Sequence, residues 1–259
     1  MKTFDHYARY YDLLYQGKDY ATETSFVHQR LLPGAQRPGH LLELGCGTGR
    51  HALEFAHRGW TVTGYDMSEA MVAQATDRAR SLDPAIASRL KFATGDVRHI
   101  NAGGVHDAAI SLFHVASYQT STADFQRFLA TAARHLGPEG RFFFDFWYGP
   151  AVVSDPPAIR IKRLGDEQIE VIRLAEPEVH PNENLVLVNY EVLITDRSSG
   201  TVTRVLETHR MRYWFLPELK LLLEGAGFQL EHSGHCYTER PLGHDTWYGW
   251  VLAQKRGTP

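Results

Sequence analysis

The 259-residue sequence has few cysteines, no long apolar run and no cluster of basic residues. Its two cysteines, Cys46 and Cys236, are too few for a disulfide framework, so we expect a reducing compartment and a cytoplasmic protein. No stretch approaches the roughly 18 apolar residues of a membrane span, and the tyrosines and acids near the start do not form a signal peptide. A net charge of −3 without a basic run argues against nucleic acid as a partner.

The composition allows one sizeable hydrophobic core. With 43% hydrophobic residues, we expect a single elaborated domain over 1–259. Before Pro150, short apolar runs alternate with helical spacing, which is typical of βαβ units and a parallel sheet. The pattern predicts strands at 40–44, 60–65, 90–93, 108–113 and 141–147, and helices at 21–32, 50–58, from Ser68 onward and at 125–136.

A different pattern follows Pro150. Residues 159–213 alternate β-branched and polar side chains between turns, which predicts an antiparallel β insertion. A helix at 216–225 and strands at 228–237 and 246–253 follow. We therefore expect a core at 36–150 and 214–259, an N-terminal helical lid at 1–35, and an insertion at 151–213 that covers the substrate or contacts a second copy. Exposed edges on such an insertion would need cover, which favours a homodimer.

A glycine-rich loop follows the first predicted strand. Gly45, Gly47 and Gly49 have the spacing G-x-G-x-G, whereas a dinucleotide fingerprint G-x-G-x-x-G would place glycine where Arg50 stands. Glu43 precedes the loop by two positions, where a carboxylate can face a cationic amino group directly or through water. A pyrophosphate would be repelled there, so the loop favours a cofactor with a cationic end.

Two further acids end the second and third predicted strands. Asp66 lies where a carboxylate can accept both hydroxyls of a ribose, and Asp96 can accept the exocyclic amine of an adenine. Met67 and Val97 would give that ring apolar faces. Because the carboxyl ends of parallel strands share one crevice, the order of these acids with Glu43 predicts an adenosine that carries a cationic tail.

The segments 41–49, 64–68 and 95–96 together resemble class I S-adenosylmethionine-dependent methyltransferases, over about 40–147. The resemblance implies an α/β, doubly wound, mostly parallel seven-stranded sheet whose seventh strand runs antiparallel between the fifth and sixth. It implies S-adenosyl-L-methionine as cofactor and S-adenosyl-L-homocysteine as product. It places Glu43, Gly45 and Gly47 at the methionine end. We include Cys46 in this cofactor loop as a small filler rather than a nucleophile, since no base is spaced to serve it.

The N-terminal segment 11–20 resembles that of methyltransferases acting on nucleotide-linked amino sugars. We therefore assign Tyr11 and Tyr20 to the cofactor site, together with Phe113 after the fourth predicted strand. The tyrosine spacing is equally that of an amphipathic helix packed into a core. The resemblance implies a small soluble acceptor.

Two short motifs extend this second resemblance. The subgroup has an acid-x-Trp step after strand five, matched by Asp145 and Trp147, which we assign to substrate binding. It also has a Glu-x-His segment near the end of its β insertion, matched here by Glu207 and His209. The sequence departs from the subgroup at Tyr118, where the sugar enzymes place a histidine, which leaves the identity of a base open.

Methyl transfer is an in-line displacement that mainly requires alignment and exclusion of water. A neutral amine needs little more, whereas a sugar hydroxyl requires a general base, for which His114, Tyr118 and His209 are candidates. Each histidine is explained as well by an ordinary structural role. Arg210 and Arg212 share one face of a strand and could meet a diphosphate, and we assign Arg212 to substrate binding, although a solvated face explains both.

Other functions stay open at this point. An NAD-dependent oxidoreductase is disfavoured by the absence of the G-x-G-x-x-G spacing, since position 50 is arginine, and by the apparent antiparallel last strand. A methyltransferase of another natural-product pathway, or a binding protein that kept the cofactor as a ligand, fits the same core. We expect no metal site, because the interval from His232 to His235 sends two strand side chains to opposite faces.

Overall fold

The computed structural model describes residues 8–32 and 37–257. The remaining parts of the predicted N-terminal lid, 1–7 and 33–35, lie outside the described residues. The helices are α1 (Ala8–Leu14), α2 (Tyr20–Leu31), α3 (Arg50–His57), α4 (Glu69–Arg80), α5 (Pro84–Ala87), α6 (Thr122–His135), α7 (Gly149–Ser154) and α8 (Leu216–Gly225). The strands are β1 (His40–Leu44), β2 (Thr61–Asp66), β3 (Leu90–Thr94), β4 (His106–Ser111), β5 (Leu136–Trp147), β6 (Arg160–Gly165), β7 (Ile169–His180), β8 (Leu185–Asp196), β9 (Val202–Arg212), β10 (Phe228–His235) and β11 (Tyr248–Lys255).

A seven-stranded sheet has the order β10-β11-β5-β4-β1-β2-β3. The pairs β3–β2, β2–β1, β1–β4 and β4–β5 are parallel, and β11 is antiparallel to both β5 and β10. The predicted doubly wound α/β sheet, with its seventh strand inserted antiparallel between the fifth and sixth, is confirmed. The strand order reverses between β1 and β4, so a ligand crevice is expected above that point.

The two faces of this sheet bury separate clusters. Alternate residues of β5 point to opposite sides, so Phe142 and Phe144 pack under α6 and α8, whereas Phe143 packs with Trp250 and α2 on the other side. Side chains also fix where helices begin: Ser68 accepts a hydrogen bond from the Met71 amide at the start of α4. These rigid layers hold the strand ends, and hence the loops above them, in place.

The antiparallel insertion is a four-stranded sheet of order β6-β7-β8-β9. One of its faces packs on α1 through Tyr10 and Leu14, which join a buried cluster with Val171 and Val192. In β9 burial alternates strictly, from Val205 to Met211, so one face is covered and the other is exposed. We call this unit the roof sheet.

Local details differ from the sequence-based expectations. The fourth strand ends at Ser111 rather than at 113, because Phe113 and His114 both have φ of +67° and leave the extended conformation. The predicted turn before residue 141 instead lies within β5, with Glu139 at φ +60° and a shift in the pairing with β4. None of the helices in the described ranges is both long and apolar enough to cross a membrane.

Candidate active site

A cavity of about 1070 Å³ lies between the carboxyl ends of the parallel strands and the roof sheet. Its wall comes from the glycine loop, the loop after β4, the helices α1 and α2, and one face of the roof sheet. Most pockets for a single small ligand hold roughly 300–1000 Å³. This cavity is therefore at the upper end of the size range for ligand pockets.

The glycine loop turns tightly at the floor of the cavity. Gly45 and Cys46 donate their amides to the Tyr65 carbonyl, at 2.7 and 2.9 Å. At Gly45 (φ +84°) an added Cβ would lie 2.5 Å from Val115 Cγ2, so the fold itself requires glycine there. At Gly47 (φ +52°) an added Cβ would meet no atom within 4 Å. Because Gly47 lines the cavity, its bare backbone is open to a ligand.

Asp66 lies beside this loop and lines the cavity. Its carboxylate accepts the amides of Gly47 and Ser68, each at 2.9 Å, which fixes its orientation. Burial raises the pKa of Asp66. Glu43 is 1% exposed, and burial raises the pKa of this carboxyl well above its ordinary value. Glu43 lies behind the cavity wall rather than among its lining residues. It would therefore reach a ligand through a bridging water or after a small movement of its side chain.

Asp96 and Val97, which follow β3, and Met67, which follows β2, all line the cavity. The sequence analysis expected these three residues to contact an adenine. The carboxylate of Asp96 is already bridged by Arg98, whose Nε lies 2.8 and 3.1 Å from its two oxygens. The hydrogen bond from Arg98 lowers the pKa of Asp96. Sequence reasoning missed this arginine, which also pairs with Asp124. The bridge holds the Asp96 carboxylate ionised and oriented at the cavity edge.

Helix α1 is fastened over the glycine loop by an acid that the sequence analysis did not single out. Asp12 accepts hydrogen bonds from Thr48 Oγ1 at 2.9 Å and from Arg50 Nε at 3.0 Å, and it also pairs with Arg78. The same helix presents Tyr11 to the cavity. The aromatic side chains of the N-terminal segment therefore divide between the cavity and the core beneath the roof sheet.

A charged group enters the cavity wall at the start of α2. Lys18 pairs with Glu23, whose other oxygen lies 3.0 Å from His51 Nε2. The Lys18 ammonium also lies 4.7 Å from the ring centroid of Phe113, within cation–π distance, and Tyr20 packs on the His51 ring. Sequence reasoning found Tyr20 and Phe113 but missed Lys18, Glu23 and His51.

The loop after β4 is held by the predicted substrate residue Asp145. Its buried carboxylate accepts the amides of Phe113 at 2.9 Å and His114 at 2.6 Å, and the Tyr237 hydroxyl donates to it at 2.5 Å. Two consecutive non-glycine residues with positive φ are strained, and these bonds stabilise that geometry. Asp145 lines the cavity, but its oxygens are engaged in positioning this loop.

His114 is buried and stacks on Tyr248, with ring centroids 4.4 Å apart. Its Nδ1 lies 3.8 Å from an Asp145 oxygen and has no hydrogen-bond partner among the described residues. Burial lowers the pKa of His114, so its imidazole is neutral near pH 7. The side chain lines the cavity as a neutral group.

Tyr118 and His209, two of the three catalytic candidates, are in direct contact. The Tyr118 hydroxyl lies 2.6 Å from His209 Nδ1, and His209 Nε2 lies 3.4 Å from Glu207, which also accepts the Tyr10 hydroxyl at 3.2 Å. An ionised Glu207 can only accept, so a proton on Nε2 leaves Nδ1 to accept the Tyr118 O–H. Burial raises the pKa of Tyr118 well above its ordinary value.

The assignment of Arg212 to substrate binding is wrong in this structure. His209 and Met211 of β9 point into the cavity, so Arg210 and Arg212 point to the other side of the roof sheet. Arg212 pairs with Glu218 and stacks over a neighbouring tryptophan instead. The two arginines do share a face, but it is the face away from the cavity.

Several buried polar atoms at or beside the cavity have no hydrogen-bond partner among the described residues. Four of them are Tyr20 Oη, Glu43 Oε2, His114 Nδ1 and Trp147 Nε1. Buried polar groups are normally satisfied, and leaving one unpaired costs about 1–3 kcal/mol. All four belong to residues that the sequence assigned to cofactor, catalysis or substrate. A zwitterionic, polar ligand would supply both donors and acceptors to such a set.

Sequence comparison adds two findings. The profile of a family described as "Methyltransferase domain" matches residues 41–140. The chain is 28% identical over 236 residues to dTDP-3-amino-3,4,6-trideoxy-alpha-D-glucopyranose N,N-dimethyltransferase from Streptomyces venezuelae. That similarity covers 90% of this chain and 93% of the relative, so it includes the roof sheet as well as the core.

Structure comparison extends the likeness over the full chain. An S-adenosylmethionine-dependent methyltransferase from Clostridium acetobutylicum has a TM-score of 0.80 at 19% identity, covering 99% of this chain and 100% of that one. A sugar N-methyltransferase from Streptoalloteichus has a TM-score of 0.78 at 24% identity, covering 95% and 93%. At these identities the likeness shows the fold, which is that of the class I methyltransferases.

Proposed function

We propose that this chain, a class I S-adenosylmethionine-dependent methyltransferase, methylates the amino group of a nucleotide-linked sugar. The relative from Streptomyces venezuelae is named for dimethylation of such an amino sugar, and its similarity extends over the roof sheet. The observation that carries the proposal is the Tyr118–His209 contact, because it joins the cofactor core to the roof sheet at the point where an acceptor would lie.

The cofactor supplies an electrophilic methyl group on a sulfonium when it is bound. For this chain we propose that Asp66 holds the ribose hydroxyls, since its orientation is fixed by two amides. Gly47 lets the backbone approach the ligand, and Glu43 stabilises a cationic amino group at the methionine end. Asp96 and Val97 lie beside the adenine. The rest of the cofactor site is formed by Tyr11, Tyr20, Cys46, Met67 and Phe113.

An amine fits the catalytic residues better than a hydroxyl does. A hydroxyl acceptor needs a base, but the raised pKa of Tyr118 keeps it a phenol, and the lowered pKa of His114 makes its imidazole a weak base. A neutral amine needs only alignment. Because the Tyr118 proton is directed to His209, its oxygen can accept an N–H of the acceptor and turn the nitrogen lone pair towards the methyl group. Trp147 Nε1 can donate to the sugar.

The test is a turnover assay with matched acceptors. We would incubate the protein with S-adenosylmethionine and a dTDP-linked 3-amino sugar, and compare the 3-hydroxy sugar with the same nucleotide. Methylation of the amine but not of the alcohol is expected. Turnover of the alcohol alone, or cofactor binding at micromolar concentration without turnover of any acceptor, would overturn the proposal.

We propose three further properties on the same basis. The helices α1 and α2 act as a lid, since Tyr11, Lys18 and Tyr20 line the cavity.

The exposed face of the roof sheet, on which Val202 is 56% and Leu206 66% exposed, contacts a second copy of the chain. The protein is cytoplasmic, which accords with free cysteines. Light scattering of wild type and Leu206→Glu tests the dimer, and cell fractionation tests the location.

A further inference from the structure

The roof sheet presents a cluster of positive charge to the cavity. Arg160 and Lys162 of β6 and Arg173 of β7 all line the cavity. In the strand register Lys162 lies directly opposite Arg173. Arg160 pairs with Ala175, which makes it the diagonal neighbour of Arg173 on the same face. Three cationic residues therefore occupy neighbouring positions on one face of the roof sheet.

Like charges directly opposite each other on neighbouring strands destabilise a sheet. Neither Arg160 nor Lys162 forms an ion pair with a carboxylate of the described residues. Lys162 donates to the Leu14 carbonyl at 3.3 Å and lies 5.7 Å from the centroid of the Tyr15 ring. On the same face, the Glu207 carboxylate accepts from Tyr10 and His209. An arrangement that costs stability in the free protein is explained if an anion binds there.

Three further cationic residues of the cavity wall differ from Arg160 and Lys162. Lys18, Arg50 and Arg98 also line the cavity, but each pairs with a carboxylate, as described above. The carboxylates Asp66 and Asp96 lie on the opposite, core side. The cavity is thus polarised, with negative groups beside the cofactor loop and positive groups on the roof. Such a field suits a cationic cofactor below and an anionic acceptor above.

We propose that Lys162, Arg173 and Arg160 bind the diphosphate of the acceptor. The inference rests on the proposed function, which places a nucleotide-linked sugar in the cavity. Each guanidinium group can donate two hydrogen bonds to two oxygens of a phosphate, and the Lys162 ammonium adds a further positive charge. The three side chains therefore suit a ligand with several anionic oxygens. The site replaces the diphosphate contact that the sequence suggested for Arg212.

The direct test uses inorganic pyrophosphate as the probe. Titration calorimetry would measure its binding to protein saturated with S-adenosylhomocysteine. Lys162→Gln and Arg173→Gln should each weaken binding by about 10-fold or more, the loss of one charged hydrogen bond, and Arg173→Lys should lose less. Arg163→Gln is the matched control, because Arg163 is on the same strand but is not part of the cavity wall. Wild type that binds no pyrophosphate, or Lys162→Gln that binds it normally, overturns the inference.

A second readout separates binding from folding. Because Lys162→Gln relieves a like-charge pair, its unfolding temperature should equal or exceed that of wild type while its diphosphate affinity falls. A lowered unfolding temperature together with unchanged affinity counts against the site. Turnover assays separate the two proposals. If these variants lose pyrophosphate binding but wild type methylates no nucleotide-linked amino sugar, the anion site is supported and the proposed function is overturned. If wild type methylates the free amino sugar as fast as the nucleotide-linked one, the anion site is overturned and N-methylation is supported.

Discussion

The Tyr118 hydroxyl lies 2.6 Å from Nδ1 of His209, although 91 residues separate them in the chain. Tyr118 ends a short 3₁₀ helix after β4, and His209 projects from β9 of the roof sheet. The bond therefore connects the loop at the switch point of the core to the sheet that covers the cavity. A displacement of the roof sheet would move the oxygen that we propose for the acceptor amine.

The first prediction concerns this contact. Tyr118→Phe removes the oxygen, and His209→Gln removes the group that orients it, so each should lower kcat by about 10- to 100-fold. S-adenosylhomocysteine affinity should stay within about 2-fold, because the glycine loop is untouched. The double variant should lose little more than either single one, since both act through one bond. Fully additive losses in steady-state kinetics would show that the two residues act separately.

The second prediction contrasts two glycines of one loop. Gly45→Ala adds a methyl group 2.5 Å from Val115 to the strain of a positive φ, so it should reduce the free energy of unfolding by about 2–5 kcal/mol, more than Gly47→Ala does. Gly47→Ala meets no neighbouring atom, so it should cost only the strain of a positive φ, about 1–2 kcal/mol. Its methyl group enters the cavity, however, and should weaken cofactor binding by more than that strain explains. Urea unfolding and calorimetry test both, and equal cofactor affinity in Gly47→Ala and wild type would contradict the assignment.

The third prediction uses the raised pKa of Asp66. An ionised carboxylate accepts ribose hydroxyls, so cofactor affinity should fall as the pH is lowered through this pKa, at a less acidic pH than for an ordinary aspartate. Asp66→Asn should weaken binding by about 10-fold near pH 7 and remove this part of the pH dependence. Asp77→Asn, on the exposed side of α4, should bind like wild type. A pH dependence that survives in Asp66→Asn would assign it to another carboxyl, with Glu43 the next to test.

The fourth prediction concerns His106, at the start of β4 and far along the strand from the cavity loop. The residue is 6% exposed, and burial lowers its pKa. Below about pH 6.5 the unfolded chain therefore binds more protons at this site than the folded protein does, so stability falls as the pH falls through that range. Unfolding temperatures measured from about pH 7.5 to 5.5 should decline less in His106→Gln than in wild type. The same decline in both would refute this role, and His28 and His114, whose pKa values are also lowered, would then carry it.

The parts of the site that the sequence predicted are short-range. The spacing of Gly45 and Gly47 and the position of Asp66 after a strand are local patterns, and strand ends of a parallel sheet must meet in one crevice. The last strand was predicted from the pattern at 246–253, whereas its place between the fifth and sixth strands came from the family resemblance. Spacing alone could not tell which tyrosines of the N-terminal helices face the cavity and which face the core. The direction of each ring depends on the roof sheet that packs against these helices.

The parts that sequence reasoning missed depend on register between distant strands. Which face of β9 meets the cavity decided between His209 and Arg212, and a shift of one residue would have exchanged them. The opposition of Lys162 and Arg173 likewise exists only once β6 and β7 are paired. The sequence alone shows that Arg173, Ala175 and Pro177 would share one face of a strand. It does not show whether that face would line the cavity or face solvent.

The roof sheet and the glycine loop lie on separate sheets, and that separation has a consequence for how such an enzyme can change. Four of the residues proposed to act on the acceptor, Arg160, Lys162, Arg173 and His209, are carried by one continuous stretch, β6 to β9, whereas the loop that would hold the methyl donor precedes it in the chain. A lineage could therefore exchange or redecorate this stretch and acquire a new acceptor without rebuilding the donor site. Grafting the stretch between relatives is a practical route to altered acceptor range.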